Sequence, residues 1–356
     1  MLVVIMAGGV GERFWPSSRR LRPKQLLDLT GRGSMLRLTI DRIGDLARPD
    51  EIFVYTNREQ REAVLADVRG LLPEANVIGE PEMRNTAPTI GLAAVVAQDR
   101  HGHGSMLVLP ADHLVEPAER FRELVRAGER FVSAHRELLT FGIVPTRPET
   151  GYGYIRPGEV LEHEKDAGVL RARAFLEKPS PERARELVAE GCFWNSGMFL
   201  WRTDTLLDGL ERHQPDLYAV LERIAKALGT RPLDEVLNDE YGRAPAISID
   251  YGLMEKAGNV AVMRADFSWN DVGSWEFIRD IASADQDGNV LVGDHVTIDA
   301  NGNTVVSRDR LVGLIGVENV VVVDAGDAIL VCRRDRAQDV RKLVAELKRR
   351  GRNDLV

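Results

Sequence analysis

The chain has 356 residues, 44% hydrophobic and 29% charged, which is long enough for a sizeable core and ordinary for a globular protein. Its net charge of −8 argues against nucleic acid as a partner. Its two cysteines, Cys192 and Cys332, cannot form a disulfide framework or a four-cysteine zinc site. The apolar segment 1–7 is too short to span a membrane. We therefore expect a cytoplasmic protein that binds neither membranes nor nucleic acid.

The first half of the chain alternates apolar runs with segments of helical spacing. Strands are predicted at 2–7, 51–56, 76–79 and 105–109, and helices at 34–43, 58–68, 89–100 and 118–135. Continuous apolar strands between helices indicate a sheet that is buried on both faces. The pattern predicts an α/β fold with a Rossmann-like, mostly parallel sheet, whose ligands bind beyond the carboxyl ends of the strands.

The middle and the end of the chain have different patterns. The middle predicts strands at 139–144, 172–176, 197–202 and 259–264 and helices at 181–190 and 216–227, which we interpret as an insertion packed on the same sheet. After Gln286, short strands are predicted at 289–292, 296–298, 304–307, 311–316, 320–323 and 328–332, followed by a helix at 336–350. Short, evenly spaced strands suggest a small β-helix-like domain. The predicted domains are therefore 1–285 and 286–356.

A glycine-rich turn follows the first predicted strand. It includes Ala7, Gly8, Gly9 and Gly11, and Arg13 comes two residues later. Glycines let backbone amides approach phosphate oxygens, and an arginine adds a bidentate contact. The dinucleotide-binding fingerprint would require a glycine where Phe14 stands, and the Gly-Lys-Ser/Thr of the P-loop is absent. The turn by itself is compatible with a phosphate site or with a simple tight turn.

The continuation of this turn resembles a known signature. Arg13 is followed by Pro16 and then by Pro23-Lys24, which resembles the sugar-1-phosphate nucleotidylyltransferases. The Trp15-Pro16 and Lys24-Gln25 variants resemble their mannose-1-phosphate guanylyltransferase branch. The resemblance continues in order through about residue 280. It implies that the loop and Lys24 bind a nucleoside triphosphate.

The resemblance implies a base-reading segment at 79–88, with Glu80, Asn85 and Thr86 in contact with the nucleotide. A carboxylate can accept hydrogen bonds from N1–H and the 2-amino group of guanine, which gives a physical reason for GTP. The segment also allows a simpler interpretation, in which Glu80 is a loop carboxylate and Asn85 caps the following helix.

The resemblance implies one Mg²⁺ between two distant aspartates. Pro110 and Asp112 follow a predicted strand, and Asp271 lies in the motif at 269–275. Magnesium takes one or two carboxylates together with phosphate oxygens and water, so the residue types fit. Considered separately, each aspartate could equally be a turn residue.

Four further motif residues are implied to bind the sugar phosphate. They are Gly153 as bare backbone beneath the hexose, Glu177 and Asn195 on its hydroxyls, and Lys178 on its phosphate. The chain has only seven lysines, and two of them, Lys24 and Lys178, fall in phosphate-binding motifs. A surface Glu-Lys pair is the alternative interpretation of 177–178. Two interpretations of Asp250 stay open: it contacts the sugar, or it caps the helix that begins near it.

The reaction implied is GTP plus mannose 1-phosphate giving GDP-mannose and pyrophosphate, with Arg13, Lys24 and Lys178 as the catalytic cations. The β-helical tail is implied to serve as the surface of a homodimer. Two alternatives stay open on the sequence: a nucleotidylyltransferase for glucose 1-phosphate with UTP or dTTP, and a non-catalytic paralogue that binds nucleotide-sugars.

Overall fold

A nine-stranded sheet forms the centre of the larger part of the molecule, in a computed structural model that describes residues 1–164 and 167–356. The strands before residue 271 are β1 (Leu2–Met6), β2 (Ile52–Asn57), β3 (Val77–Glu80), β4 (Ser105–Pro110), β5 (Leu114–Glu116), β6 (Leu138–Ile143), β7 (Gly153–Glu164), β8 (Ala167–Glu177), β9 (Phe193–Arg202), β10 (Val260–Ala265) and β11 (Ser268–Asn270). The helices are α1 (Met35–Ile43), α2 (Arg61–Asp67), α3 (Thr86–His101), α4 (Ala118–Ala134), α5 (Pro181–Ala189), α6 (Thr203–His213), α7 (Pro215–Leu228), α8 (Leu233–Glu240) and α9 (Ile278–Ile281).

The strand order in this sheet is β3-β2-β1-β4-β9-β6-β10-β8-β7. Strands β1 to β4 pair in parallel, as do β6 and β10, whereas β8 and β9 run against their neighbours. Seven strands therefore share one direction, and the predicted mostly parallel sheet is confirmed. The insertion was also predicted correctly to join this sheet, because β6 to β10 all belong to it.

Strand β1 shows why the apolar runs are continuous. Val3 and Ile5 pack in a core layer with α1 and α4, while Leu2 and Val4 pack on the other face with α3, α6 and α7. Neighbouring side chains of a strand point to opposite faces, so a strand buried on both faces has no polar alternation. Helices on both faces of the sheet are confirmed.

Several elements differ from the predicted ones. Helix α3 begins at Thr86 rather than at 89, because Asn85 accepts a hydrogen bond from the amide of Thr86 and starts the helix there. Strand β7 was not predicted, since Pro157 and Gly158 interrupt its alternation and its pairing with β8 is irregular at that point. Helices α6 and α8 were also not predicted. The last helix is shorter than the expected 336–350, because a 3-10 turn occupies Arg334–Asp339.

The C-terminal part is a small β-helix-like unit. Its elements are β12 (Val290–Val292), β13 (His295–Ile298), β14 (Thr304–Val306), β15 (Val312–Ile315), β16 (Val320–Asp324), β17 (Ile329–Arg333) and α10 (Val340–Arg349). Strands β12, β14 and β16 stack in parallel on one side, and β13 and β15 do so on another. This stacking confirms the predicted β-helix-like architecture and its closing helix.

One hydrophobic cluster joins this unit to the glycine-rich turn. It contains Phe14 and Trp15 from the turn, Trp275 from the segment after β11, and Val344 from α10. The Trp15 indole donates a hydrogen bond to the carbonyl of Leu355 at 2.8 Å, and the Trp275 indole donates one to the carbonyl of Trp15 at 3.0 Å. The C-terminal unit therefore packs against the glycine-rich turn and stabilises it. No helix in the described ranges is both long and apolar enough to cross a membrane.

Candidate active site

A cavity of about 430 Å³ lies beyond the carboxyl ends of the parallel strands, where ligands of such sheets bind. Each of the strands β1 to β4 brings residues to it, because parallel neighbours end at the same edge of the sheet. The predicted nucleotide-binding residues that line it are Ala7, Gly8, Gly9, Glu80, Asn85, Thr86, Pro110 and Asp112. The other predicted site residues do not line the cavity. They are Gly11, Arg13, Lys24, Gly153, Glu177, Lys178, Asn195 and Asp271.

The glycine-rich turn presents unpaired backbone donors. In the described chain, the amides of Gly8 and Gly9 make no hydrogen bond, and a Cβ at either position would meet nothing within 4 Å. Gly11 is required sterically, since its φ is +71° and a Cβ there would lie 2.3 Å from the Cβ of Lys24. Gln25 supports the turn by donating to the carbonyl of Ala7 at 2.5 Å. The turn can therefore offer amides to a phosphate.

The side chains of Glu12 and Arg13 do not line the cavity and contact other segments instead. Glu12 pairs with Lys348 of α10 at 2.6 Å. Arg13 donates to the carbonyl of Gly273 at 3.4 Å, two residues beyond Asp271. Arg13 therefore contacts the segment that follows Asp271.

Lys24 joins the two aspartates that were predicted to hold a metal. Its Nζ lies 2.8 Å from Oδ2 of Asp112 and donates to the backbone carbonyl of Asp271 at 2.7 Å. Lys24 is only 5% exposed. Burial alone would raise the pKa of Asp112, but neighbouring groups, the charge of Lys24 first among them, outweigh it and hold that pKa below its usual value. Two residues 159 positions apart in sequence are therefore brought together at one cation.

The side chain of Asp271 is held by a residue that had no predicted role. The hydroxyl of Tyr152 donates to Oδ1 of Asp271 at 2.7 Å, and burial followed by that carboxylate raises the pKa of Tyr152. The ring of Tyr152 packs edge-on against Trp194 and Trp269, each at 5.1 Å between centroids. Trp269 in turn donates to Nδ1 of His113, and burial lowers the pKa of His113 to about 4, so His113 is neutral. The aromatic group fixes Asp271 in place.

Glu80 and the start of α3 form one end of the cavity. Oε1 of Glu80 accepts hydrogen bonds from the hydroxyls of Thr89 and Tyr241. Asn85 caps α3, as the simpler interpretation of this segment proposed, and it also lines the cavity. The hydroxyl of Thr86 accepts from the amide of Ile249 at 2.8 Å, which ties the start of α3 to the segment carrying Asp250.

The predicted sugar-binding residues form a second polar group. A Cβ at Gly153 would lie 2.4 Å from Oε2 of Glu177 and 3.4 Å from the Cβ of Asn195, so these three residues adjoin. Asn195 donates to Oδ1 of Asp250 at 3.0 Å, and Asp250 lines the cavity. Lys178 has a φ of +48°, is largely exposed and pairs with Glu177 at 2.5 Å. The group therefore lies next to the cavity, with one exposed lysine at its rim.

Asp250 is not the side-chain cap that the sequence left as an alternative. The short helix Asp250–Met254 has no side-chain cap from its N-cap residue, and Ser248 accepts from the amide of Tyr251 instead. Burial, and next the charge of Glu177, raises the pKa of Asp250 to about 6. A half-buried carboxylate with a raised pKa that lines a cavity is a candidate functional group.

Replacing Asp250 by asparagine is expected to stabilise the fold. The folded-state pKa of about 6 lies above the ordinary 3.8, so the ionised form carries a penalty above pH 6 that disappears below 3.8. Asp250→Asn removes this ionisation penalty and keeps an acceptor for Asn195. We therefore expect the free energy of unfolding at pH 8 to increase by roughly 1–3 kcal/mol. Urea unfolding at pH 8 and pH 5 measures this gain. A gain at pH 5 that equals or exceeds the gain at pH 8 would contradict it.

The sequence also missed several residues that line the cavity: Gln25, Tyr55, Asn57, Met83 and Thr89. Asn57 ends β2, so the rule that ligands bind at the carboxyl ends of strands could have identified it. Tyr55 and Thr89 lie inside a strand and a helix, and no sequence signal marks which of their faces meets the cavity.

Comparisons with known proteins show what the chain is similar to. A family model described as "Nucleotidyl transferase" matches residues 2–288, and one described as "MannoseP isomerase/GMP-like beta-helix domain" matches residues 293–347. The chain is 42% identical over 358 residues to the mannose-1-phosphate guanylyltransferase of Klebsiella pneumoniae, covering 99% of this chain and 75% of that protein. It is 39% identical over 361 residues to the xanthan biosynthesis protein XanB of Xanthomonas campestris, covering 99% of this chain and 74% of that protein. A solved structure described as a mannose-1-phosphate geranyltransferase from Thermus thermophilus is 37% identical, with a TM-score of 0.86 over 98% of this chain and 99% of that one.

Proposed function

The chain belongs to the nucleotidyl transferase family, and we infer that it transfers a guanylyl group from GTP to mannose 1-phosphate, giving GDP-mannose and pyrophosphate. The observation that carries this inference is the junction at Lys24. Lys24 joins Asp112, on the wall of the cavity, to the segment of Asp271. The carboxylate of Asp271 in turn accepts from Tyr152, which precedes Gly153 of the polar group with Glu177 and Asn195. A nucleotide cavity and a sugar-binding group therefore meet at one charged point.

The reaction needs little from the protein besides positioning and charge. The phosphate of mannose 1-phosphate is already an anion near neutral pH, so it attacks without a general base. Its oxygen forms a bond to the α-phosphorus of GTP, the bond from that phosphorus to the β-phosphate oxygen breaks, and pyrophosphate leaves. The obstacle is the approach of two polyanions, and preorganised donors and cations lower it.

Each cation of the site has a place in this scheme. The amides of Gly8 and Gly9 would bind the triphosphate, with Lys24 stabilising its charge at the point of transfer. Arg13 would support the leaving pyrophosphate from the side of Gly273. Lys178, which stands at the rim of the sugar group, would hold the attacking phosphate.

The donor set at the junction fits Mg²⁺. Asp112 and Asp271 offer carboxylate oxygens, and in the described residues no group of three or more histidine, cysteine or acidic side chains forms a full protein cage. Magnesium accepts such a partial set, since phosphate oxygens and water complete its octahedron. When bound there, it would neutralise charge on the reacting phosphates. Tyr152 would keep Asp271 oriented toward it.

Product identification tests the proposed function. The purified protein is incubated with GTP, mannose 1-phosphate and Mg²⁺, and the products are followed by mass spectrometry and a pyrophosphate assay. GDP-mannose and pyrophosphate in equal amounts, both abolished by EDTA, are expected. Binding of GDP-mannose without any turnover would instead favour a non-catalytic nucleotide-sugar-binding protein.

A further inference from the structure

Glu80 is a buried carboxylate that two hydroxyl groups hold from different elements. It ends β3, is 6% exposed and lines the cavity. Thr89, on the first turns of α3, places its hydroxyl 2.7 Å from Oε1 of Glu80. Tyr241, just after α8 and 161 residues away in sequence, donates to the same oxygen. Hydroxyls from two different segments, one nearby in sequence and one 161 residues away, therefore converge on one carboxylate oxygen.

The tyrosine is the more exclusive of the two donors. Tyr241 is fully buried, and Glu80 is the acceptor of its hydroxyl. The Thr89 hydroxyl also lies 3.1 Å from the carbonyl of Asn85, and its single hydrogen can serve one acceptor at a time. The other carboxylate oxygen, Oε2, accepts no hydrogen bond from the described residues. One oxygen is thus fixed, and the other is left for a ligand.

The protonation state of Glu80 decides which purine it can bind. Burial raises the pKa of Glu80 above its usual value, and the hydroxyls of Tyr241 and Thr89 reduce that rise by stabilising the anion. An ionised carboxylate is acceptor-only and suits guanine, which presents N1–H and a 2-amino group. A protonated carboxyl group has a donor and would suit adenine, whose N1 is an acceptor. Hydroxyls that favour the anion therefore also favour guanine.

We propose that Tyr241, assisted by Thr89, is the positioning residue that sets guanine selectivity, by fixing Glu80 as an acceptor that faces the base. The proposal rests on the proposed function for the identity of the nucleotide. It assigns a role in substrate choice to the segment between α8 and β10, which lies outside every nucleotide-binding motif of the sequence.

The test compares Tyr241→Phe and Thr89→Val with the wild type. Kinetics are measured with GTP, with inosine triphosphate, which lacks the 2-amino group, and with ATP, which lacks both donors. Loss of a hydrogen bond to a buried charge weakens an interaction by roughly 1.5–3 kcal/mol, so Tyr241→Phe should raise the KM for GTP about tenfold or more. The preference for GTP over ATP should fall by a similar factor, while the KM for mannose 1-phosphate stays unchanged.

Two controls separate positioning from general damage. Thr89→Ser keeps a hydroxyl and should retain most of the selectivity that Thr89→Val loses. Tyr218→Phe on α7 removes a tyrosine hydroxyl far from the cavity and should change neither KM. Thermal unfolding of all variants identifies any that fail to fold, and the threonine pair keeps the test valid if Tyr241→Phe does not fold.

An unchanged ratio of GTP to ATP in Tyr241→Phe would overturn the proposal, as would equal rises in the KM of both substrates. Calorimetric binding of GDP and ADP to the same proteins keeps this result separate from the proposed function. If the wild type fails to make GDP-mannose but binds GDP in preference to ADP, the reaction is wrong, and the loss of that preference in Tyr241→Phe still tests the assignment.

Discussion

Replacing Lys24 by methionine is expected to lower kcat by about 10²–10³, the usual effect of removing one preorganised charge donor. Lys24 is buried and touches both aspartate segments, so under the proposed function its charge would lie where the reacting phosphates meet. Methionine keeps the length and the apolar stem, and thereby the packing of the side chain against Gly11. The defect should therefore appear in turnover rather than in folding.

The same variant makes a prediction about metal binding. Lys24 lies 2.8 Å from Oδ2 of Asp112, so a cation that binds Asp112 must share that oxygen or displace the lysine. Binding of Mn²⁺ to Lys24→Met without nucleotide, followed by electron paramagnetic resonance, should be as tight as in the wild type or tighter. Lys226→Met on the surface of α7 is the matched control and should alter neither kcat nor the affinity for Mn²⁺. Near-normal turnover in Lys24→Met would refute the catalytic role of Lys24.

Neutralising either Asp112 or Asp271 should lower kcat as much as Lys24→Met does, but it should also change the dependence of the rate on Mg²⁺. Asp112→Asn and Asp271→Asn each remove one hard anionic ligand, and we expect kcat to fall by about 10²–10³. The Mg²⁺ concentration for half-maximal rate should rise in both, because only one protein carboxylate then remains to bind the metal beside the substrate phosphates and water. Lys24→Met should not show this rise, and that difference separates the two roles.

The control for the aspartates is Asp216→Asn, in the first turn of α7, which should leave the metal requirement unchanged. Asp271→Asn also loses a charged acceptor for Tyr152, so its Mn²⁺ binding should be weaker in the absence of any substrate. Equal metal requirements in Asp271→Asn and the wild type would contradict the proposed metal site.

The sequence predicted the fold wherever local chemistry determines it. Buried strands such as β1 and β4 are continuous apolar runs, and Gly8, Glu80 and Asp112 lie at or just beyond strands whose carboxyl ends meet. Strand β7 was missed because Pro157 breaks its alternation, and α3 starts early because Asn85 caps it. Local sequence pattern therefore predicts regular strands, but it does not predict irregular strands that are stabilised by neighbouring elements.

The contacts that orient the site could not be predicted from local pattern. Tyr152 lies 119 residues from Asp271, and Tyr241 lies 161 residues from Glu80. Each pair forms only because the insertion folds back on the sheet, and a tyrosine in a motif does not show which carboxylate its hydroxyl will meet. The sequence therefore predicts candidate site residues, and the structure adds the side chains that hold two of them in place.

A competition experiment tests the central claim most directly. The protein, with Mg²⁺, is given GTP, UTP, dTTP, ATP and CTP at equal concentrations together with mannose 1-phosphate and glucose 1-phosphate. The nucleotide-sugars formed at early times, quantified by mass spectrometry, report the ratios of kcat/KM. GDP-mannose is predicted to be the dominant product. A predominance of UDP-glucose or dTDP-glucose would contradict the assignment of Glu80 and its supporting hydroxyls as a guanine-reading site.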